Sequence, residues 1–229
     1  MLLRLVVAAF IIAFFEAPSA RATCTLDQLY LRCASEQKVA LIASDASIPY
    51  RTSAKLVEAY SAREVAGMLR EDFARHGAPL VLRCDNASAH DAPEVLDTLR
   101  QHCVLMLHGP AYYPQYNGQH ERQNREHRDW LHYAAWETDP QLHAELLRMI
   151  DVLNESWLRR SLGWRSAATL WAARRQIRVN RIKLQDDVAE RAARLRRRAR
   201  LRPHLANRLA IEQALEDRGL LKRIAGGWC

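Results

Sequence analysis

Apolar residues along the first half of the chain follow two spacings, which predict strands and helices in turn. Short apolar runs that contain β-branched residues predict strands. These runs are residues 23–31, 38–44, 54–59, 80–83 and 104–107. Apolar positions three and four residues apart predict amphipathic helices over 61–76 and 91–103. The first strand has the weakest pattern, and we expect it at an edge of the sheet.

The helix over residues 61–76 has predicted ends. Ser61 is placed to cap its N-terminus, with Glu64 completing a capping box. A turn-rich loop over 109–118 precedes a long helix that begins near Gly118 and reaches about Trp136. Further helices are predicted over 140–158, 166–177, 184–202 and 205–222. Three strands followed by alternating helices and strands predict an α/β fold, a mixed sheet with helices on its faces.

The composition is that of an ordinary globular protein. The chain has 229 residues, 49% hydrophobic and 26% charged, which suits one domain, or one domain with an appendage. Its five cysteines are odd in number and include no C-x-x-C pair. This spacing argues against a disulfide framework and against a zinc ribbon.

Positive charge is concentrated in the C-terminal third. The formal net charge is +8, yet 19 of the 34 basic residues and only 6 of the 26 acidic ones lie from Arg159 onward. Six arginines form a dense strip: Arg194, Arg196, Arg197, Arg198, Arg200 and Arg202. A basic tail on a slightly acidic body favours nucleic acid as the partner. A solvated arginine-rich helix is the alternative.

The first 22 residues have the layout of a secretory signal. Arg4 precedes an apolar run over 5–15, and Ala20 and Ala22 stand at the positions of a cleavage site. A run of 11 residues is too short to span a bilayer as a helix of about 20 residues. Taken alone the segment favours export; a buried apolar element or a misassigned start are the alternatives.

Three carboxylates stand at positions suited to a metal site. Asp27 lies in the first strand, Asp85 directly after a buried strand, and Glu121 in the first turn of the long helix. Fifty-seven residues separate the first pair and 35 the second. Each has an ordinary interpretation: a solvent-facing strand residue, a turn former and a partner of the helix dipole, respectively.

Taken together, three segments resemble the retroviral-type integrase core of bacterial insertion-sequence transposases. They are LVLRCDNASAH (80–90), HGPAYYPQYNGQHERQNRE (108–126) and LNESWLRRSLGWRSAATLW (153–171). The resemblance covers about residues 26–173. It implies a ribonuclease H-like fold and an Asp-Asp-Glu triad, which falls on Asp27, Asp85 and Glu121 here.

The chain also departs from the family pattern. Ala87 stands where the family has glycine, and His90 where an aromatic residue is common. No tryptophan precedes Asp27, and the turn at Asp45 lacks the family's arginine. The N-terminal helix-turn-helix region of full-length members is missing, so we expect a truncated or decayed element.

The resemblance implies metal-dependent phosphoryl transfer. Asp27 would bridge two Mg²⁺ (or Mn²⁺) ions, with Asp85 and Glu121 each holding one, and water or a DNA 3′-hydroxyl would attack. Arg125 and Arg128 lie on the helix face of Glu121 and could grip phosphates, although Arg125 could instead pair with Glu121. Tyr116 could stack on a base, with turn packing as the alternative.

We therefore expect a signal-like or misread segment over 1–22, an integrase core over 23–150 and a basic helical C-terminal extension over 151–229. The predicted function is DNA transposition or integration, on double-stranded DNA and as a homo-oligomer, with no small-molecule substrate and no membrane. The alternatives are an inactive remnant that only binds DNA and an unrelated exported protein. For the favoured function we expect residues 1–22 to stay unprocessed and the protein to be cytoplasmic and nucleoid-associated.

Overall fold

Five strands form one mixed sheet in the computed structural model, which describes residues 22–85, 87–109, 118–175 and 177–221. The strands are β1 (Thr23–Cys33), β2 (Glu36–Asp45), β3 (Arg51–Val57), β4 (Val81–Cys84) and β5 (Leu105–His108). They lie in the order β3-β2-β1-β4-β5. The β1–β2 and β2–β3 pairs are antiparallel, whereas β1–β4 and β4–β5 are parallel. The predicted mixed sheet is confirmed.

Helices cover both faces of the sheet. They are α1 (Ala62–His76), α2 (Pro93–Gln101), α3 (Gly118–Tyr133), α4 (Asp139–Asp151), α5 (Ala167–Ala172), α6 (Arg181–Ala199) and α7 (Pro203–Glu216). A π-helical turn over Val152–Ser156 continues α4, and short 3₁₀ turns lie at Ser88–Asp91 and Arg160–Leu162. The long helix α3 ends three residues before the predicted end, and Trp136 instead donates its indole N–H to the carbonyl of Arg32 at 2.8 Å.

The expected edge position of the first strand is wrong, because β1 is the central strand. It pairs with β2 from Cys24 to Cys33 and with β4 from Thr23 to Thr25. Its apolar pattern is weak because the two faces of the strand meet different layers, and because Asp27 and Gln28 interrupt it. A polar interruption in a central strand is costly unless the side chains have partners.

Side chains alternate between the two faces of β1, as a strand requires. Cys24 and Leu26 pack in a core with α1 and α2, whereas Leu29 packs in a second core with α3 and α4. Asp27 lies two residues before Leu29, so the two side chains are on the same face of the sheet. The strand therefore directs Asp27 toward the face that α3 covers.

The C-terminal helices α6 and α7 form part of the second layer. Their apolar side chains, among them Leu184, Val188 and Ile211, pack with Val81 of β4 and Leu107 of β5. The boundary proposed at residue 151 stays a prediction, but these helices are packed on the sheet. Removing them would expose the β4–β5 surface.

The predicted capping box at α1 forms only in part. Ser61 accepts the backbone N–H of Glu64 at 3.3 Å. The carboxylate of Glu64 forms an ion pair with Lys55 of β3 at 2.9 Å. A full capping box occurs at α4, between Thr138 and Gln141.

The N-terminal segment lies largely outside the described residues. Ala22, the first described residue, is buried, and its carbonyl accepts the N–H of Val81 at 3.0 Å. Within the ranges that the structure describes, no helix is long and apolar enough to cross a membrane. The four cysteines in those ranges are free thiols.

A buried ion network connects β3 to α3 and to the segment after α4. The guanidinium of Arg51, fully buried, contacts the Glu126 carboxylate at 2.6 Å and His127 Nε2 at 3.0 Å. Arg159 also binds Glu126 through both terminal nitrogens, one at 2.7 Å. The side chain of Asn154 pairs with the backbone N–H and carbonyl of Arg51, both at 2.9 Å. These contacts fix the position of α3 over the sheet.

Replacing Glu126 by glutamine should destabilise the protein by about 3 kcal/mol, because it leaves a buried arginine without its counter-charge. The matched control is Asp97→Asn, which removes an exposed ion pair with Arg100 on α2 and should cost less than about 1 kcal/mol. Urea unfolding measures both. Equal losses in the two variants would show that the network adds no more than a surface pair.

Candidate active site

Two of the three predicted carboxylates lie close together at the end of the parallel ladder between β1 and β4. The register pairs Thr25 of β1 with Arg83 of β4, and Asp27 and Asp85 each follow this last pair by two residues. The amide of Gln28 donates to Asp85 Oδ2 at 3.4 Å, and the negative charge of Asp85 raises the pKa of Asp27. The structure thus brings Asp27 and Asp85 to one place in the sheet, where β4 ends.

Asp27 lies in an environment that disfavours its charged form. Burial raises its pKa to about 7, and Asp85 adds to this effect. The N–H of Gln28, the side chain of Asn124 and the positive charge of Arg128 act in the opposite direction. An ionised carboxylate at this position would gain from an added cation.

Helix α3 supplies the next group of side chains. Asn124 hydrogen-bonds Asp27, and Arg128, one turn later, contributes positive charge there. Glu121 precedes Asn124 by about one turn on the same side of the helix, and its side chain is exposed. Arg125 and Arg128 are exposed as well. The described side chains include no ion pair between Glu121 and Arg125, the alternative that the spacing left open.

The donor set fits a hard divalent cation only in part. Asp27 and Asp85 present the oxygen ligands that Mg²⁺ and Mn²⁺ prefer. Across the described ranges, however, no three His, Cys, Asp or Glu side chains stand close enough to hold a metal ion. The assignment of Glu121 as the third ligand therefore stays a prediction, supported by its place one turn from Asn124.

Asp85 is held by a histidine that the sequence singled out only as a departure. His90 is fully buried, and its Nδ1 lies 3.1 Å from Asp85 Oδ1 and 3.2 Å from the Asp85 carbonyl. Its Nε2 lies 2.6 Å from the hydroxyl of Tyr60. With Nδ1 protonated, His90 donates to Asp85 and accepts from Tyr60. A phenylalanine at position 90 could make neither hydrogen bond.

Sequence reasoning missed Gln28, Asn124, His90 and Tyr60 as parts of this site. Asn124 could have been found, because it lies three residues after Glu121 on the predicted helix. Nothing in the sequence near Tyr60 indicates its contact with His90, because the two residues are 30 positions apart. Only the tertiary fold brings the connection between β3 and α1 next to His90.

The predicted DNA-contacting residues have different outcomes. Tyr116 lies outside the described residues. All six arginines of the strip are exposed, including Arg196, Arg197 and Arg198 in the last turn of α6. By contrast, Arg191 on the same helix pairs with Asp187 at 2.6 Å and Asp217 at 2.7 Å. The strip therefore presents positive charge to solvent.

Comparison with known proteins shows the fold. The catalytic core domain of BIV integrase is 18% identical with a TM-score of 0.56, and the match covers 67% of this chain and 95% of that one. The HTLV-2 integrase catalytic core domain in complex with magnesium is 12% identical with a TM-score of 0.55, over 68% and 99% of the two chains. A chain from the simian T-cell lymphotropic virus intasome is 14% identical with a TM-score of 0.56, over 76% and 63%.

No protein-family model matches the sequence, and no curated protein matches it either. The likeness therefore rests on structure. The chain has the ribonuclease H-like fold of integrase catalytic cores, and the fold that the resemblance implied is confirmed.

Replacing Asp27 by asparagine should raise the melting temperature of the metal-free protein at pH 8 by roughly 3 °C or more. The pKa of Asp27 is raised from 3.8 to about 7 on folding, so ionisation opposes folding increasingly as the pH rises through that interval. The gain should therefore be smaller at pH 5. Thermal unfolding in EDTA at the two pH values measures it.

The control is Asp129→Asn, an exposed carboxylate on α3 that should shift the melting temperature by no more than about 1 °C at either pH. A loss of stability in Asp27→Asn at pH 8 would contradict the unfavourable burial of Asp27.

Proposed function

We propose that the protein is a polynucleotidyl transferase that cleaves DNA and joins DNA strands, as in transposition or integration. The observation that carries the proposal is the juxtaposition of Asp27 with Asp85, with Asn124 and Arg128 of α3 placed against Asp27. The integrase-type fold supports it, because the compared HTLV-2 core is a complex with magnesium and the simian virus chain comes from an intasome.

Asp27, Asp85 and Glu121 would hold the Mg²⁺ or Mn²⁺. When bound, such ions activate the attacking oxygen and stabilise the charge on the leaving oxygen. The chemistry needs no covalent enzyme intermediate. The Cys84 thiol beside the site is consistent with this. Burial raises the pKa of this thiol to about 12, so it stays protonated at neutral pH and is a poor nucleophile.

The remaining side chains hold the carboxylates and the substrate. Asn124 orients Asp27, while Gln28 and His90 orient Asp85. Arg125 and Arg128, exposed on α3, are placed to contact phosphates next to the reacting bond. Positioned donors of this kind keep the reacting groups aligned and reduce reorganisation during the reaction.

The proposed partner is double-stranded DNA, bound by a homo-oligomer of this chain, in the cytoplasm at the nucleoid. The six-arginine strip on and after α6 supports this partner, because exposed arginines attract the phosphate backbone without regard to sequence. An inactive remnant that keeps only this binding is the competing outcome of the assay below.

Purified protein should nick supercoiled plasmid in the presence of Mn²⁺ or Mg²⁺ and not in EDTA. Asp27→Asn, Asp85→Asn and Glu121→Gln should each slow nicking at least about a hundredfold, because each removes an interaction with the metal site worth several kcal/mol in the transition state. Gel separation of supercoiled and open-circular plasmid measures the rate.

Asp129→Asn is the control, since it removes a carboxylate from α3 outside the site and should nick like the parent chain. Melting temperature and DNA affinity are measured for every variant. DNA binding without metal-dependent nicking would favour the remnant. Nicking that survives in all three carboxylate variants would overturn the assignment of the site.

Replacing Arg196, Arg197 and Arg198 together by glutamine should weaken binding to any duplex. The slope of log affinity against log salt should flatten by roughly 0.9 for each arginine that contacts a phosphate. Substitution is used because deleting the tail would remove α6 and α7 from the sheet. Fluorescence anisotropy with unrelated duplexes measures the slope.

The matched control replaces three exposed arginines on α1 and α2, Arg63, Arg75 and Arg100, by glutamine. These lie on helices of the opposite face of the sheet, so the salt slope should stay near that of the parent chain. Equal flattening in both triple variants would show that binding follows net charge and not the strip.

A further inference from the structure

A small closed turn after α4, residues 159–165, projects a tryptophan into solvent; we name it the Trp164 knuckle. Arg159 donates its N–H to the carbonyl of Arg165 at 3.3 Å, and Trp164 donates its N–H to the carbonyl of Arg159 at 2.9 Å. These hydrogen bonds close the turn. Trp164 is 67% exposed.

The backbone at Trp164 is in a conformation that a bulky residue rarely adopts. Gly163 and Trp164 are both left-handed, with φ of 65° and 57°. Glycine adopts this region freely, whereas tryptophan does so against steric strain. Strain of this kind, on a side chain that packs little of its surface inside the protein, is characteristic of functional positions.

The segment of chain around Trp164 is rich in exposed apolar and basic residues. Of the seven large hydrophobic side chains that are exposed in the described ranges, three lie within eight residues of one another: Trp157, Leu158 and Trp164. Arg160 and Arg165 flank Trp164 in the turn and are exposed. Residues 156–185 contain eight basic residues and no acidic one. This charge suits a polyanion.

The knuckle is held rigidly beside the helix that carries Glu121. Arg159, at its base, binds the Glu126 carboxylate of α3, which also binds the buried Arg51. Glu126 follows Glu121 by five residues, or about 7.5 Å along a helix. The base of the turn is therefore tied to the helix that carries Glu121.

We propose that the Trp164 knuckle binds DNA, with the indole of Trp164 stacking on an unpaired base and with Arg160 and Arg165 contacting the adjacent phosphates. The proposal rests on the proposed function, in which DNA is the substrate. Aromatic side chains stack on any unpaired base, and arginines beside them track the backbone. An unpaired base arises wherever a DNA end frays.

The test compares Trp164→Asn with Trp164→Phe in EDTA, so that no cleavage can occur. The probes are a fluorescein-labelled duplex with a six-nucleotide 3′ overhang and the same duplex with blunt ends. Trp164→Asn should lose at least about fivefold in affinity for the overhang duplex and less for the blunt one, because stacking needs an unpaired base. Trp164→Phe should keep most of the affinity.

Asparagine is chosen because it tolerates left-handed backbone, so this variant should melt at or above the temperature of the parent chain. Tyr133→Asn, which removes an aromatic side chain that is 87% exposed at the end of α3, is the matched control and should bind both probes normally. Unchanged overhang binding by Trp164→Asn would overturn the proposal, as would a lowered melting temperature that accounts for the loss.

Light scattering in the same buffer tests the other occupant, a second copy of the chain. A fall in oligomer mass in Trp164→Asn with normal DNA affinity would assign the knuckle to contacts between copies and overturn the proposal.

Plasmid nicking separates this inference from the proposed function. If Trp164→Asn loses overhang binding but the parent chain leaves the plasmid uncut, the catalytic proposal fails and the proposal for the Trp164 knuckle stands. If the parent chain nicks the plasmid but Trp164→Asn binds the overhang normally, the catalytic proposal stands and the proposal for the Trp164 knuckle fails.

Discussion

The buried charge of Arg51 is the constraint on which the arrangement of the site depends. A guanidinium without solvent contact needs a counter-ion and hydrogen-bond acceptors. Glu126, His127 and the carbonyl of Pro49 supply them, and Asn154 pairs with the backbone of the same residue. Because these groups come from α3, from the turn after α4 and from the β2–β3 connection, satisfying one residue determines where α3 crosses the sheet. The positions of Asn124 and Glu121 follow from that crossing.

The same network explains why a long sequence motif runs far beyond the three carboxylates. Asn154 and Arg159, in the segment 153–171, lie more than 100 residues from Arg51 and more than 25 from Glu126, respectively. Neither touches Asp27 or Asp85 in the contacts that the structure describes. Arg159 binds Glu126 on the helix that carries Glu121, the predicted third carboxylate, whereas Asn154 binds the backbone of Arg51. The turn that begins at Arg159 presents Trp164.

Much of the fold could be predicted from hydrophobic spacing, since all five strands and the principal helices lie near their expected places. The order of the strands in the sheet could not be predicted, because the apolar pattern of one strand does not show which strands pair with it. The sequence of the first strand suggested an edge strand because Asp27 and Gln28 interrupt its apolar run. Its two faces also meet different layers, which the local pattern does not show. In the structure those two residues gain partners in Asn124 and Asp85, which lie 97 and 57 residues away along the chain.

By itself, the sequence determined the element types, the basic C-terminal third and the carboxylates, because these depend on residue identity and spacing over a few turns. Only the tertiary structure decided that β1 is central, that α6 and α7 pack on the sheet, and that His90, itself bound to Tyr60, holds Asp85. The physical reason is the same in each case. Burial and hydrogen bonding are satisfied by whichever groups the packed layers bring together, and those groups are distant in the chain.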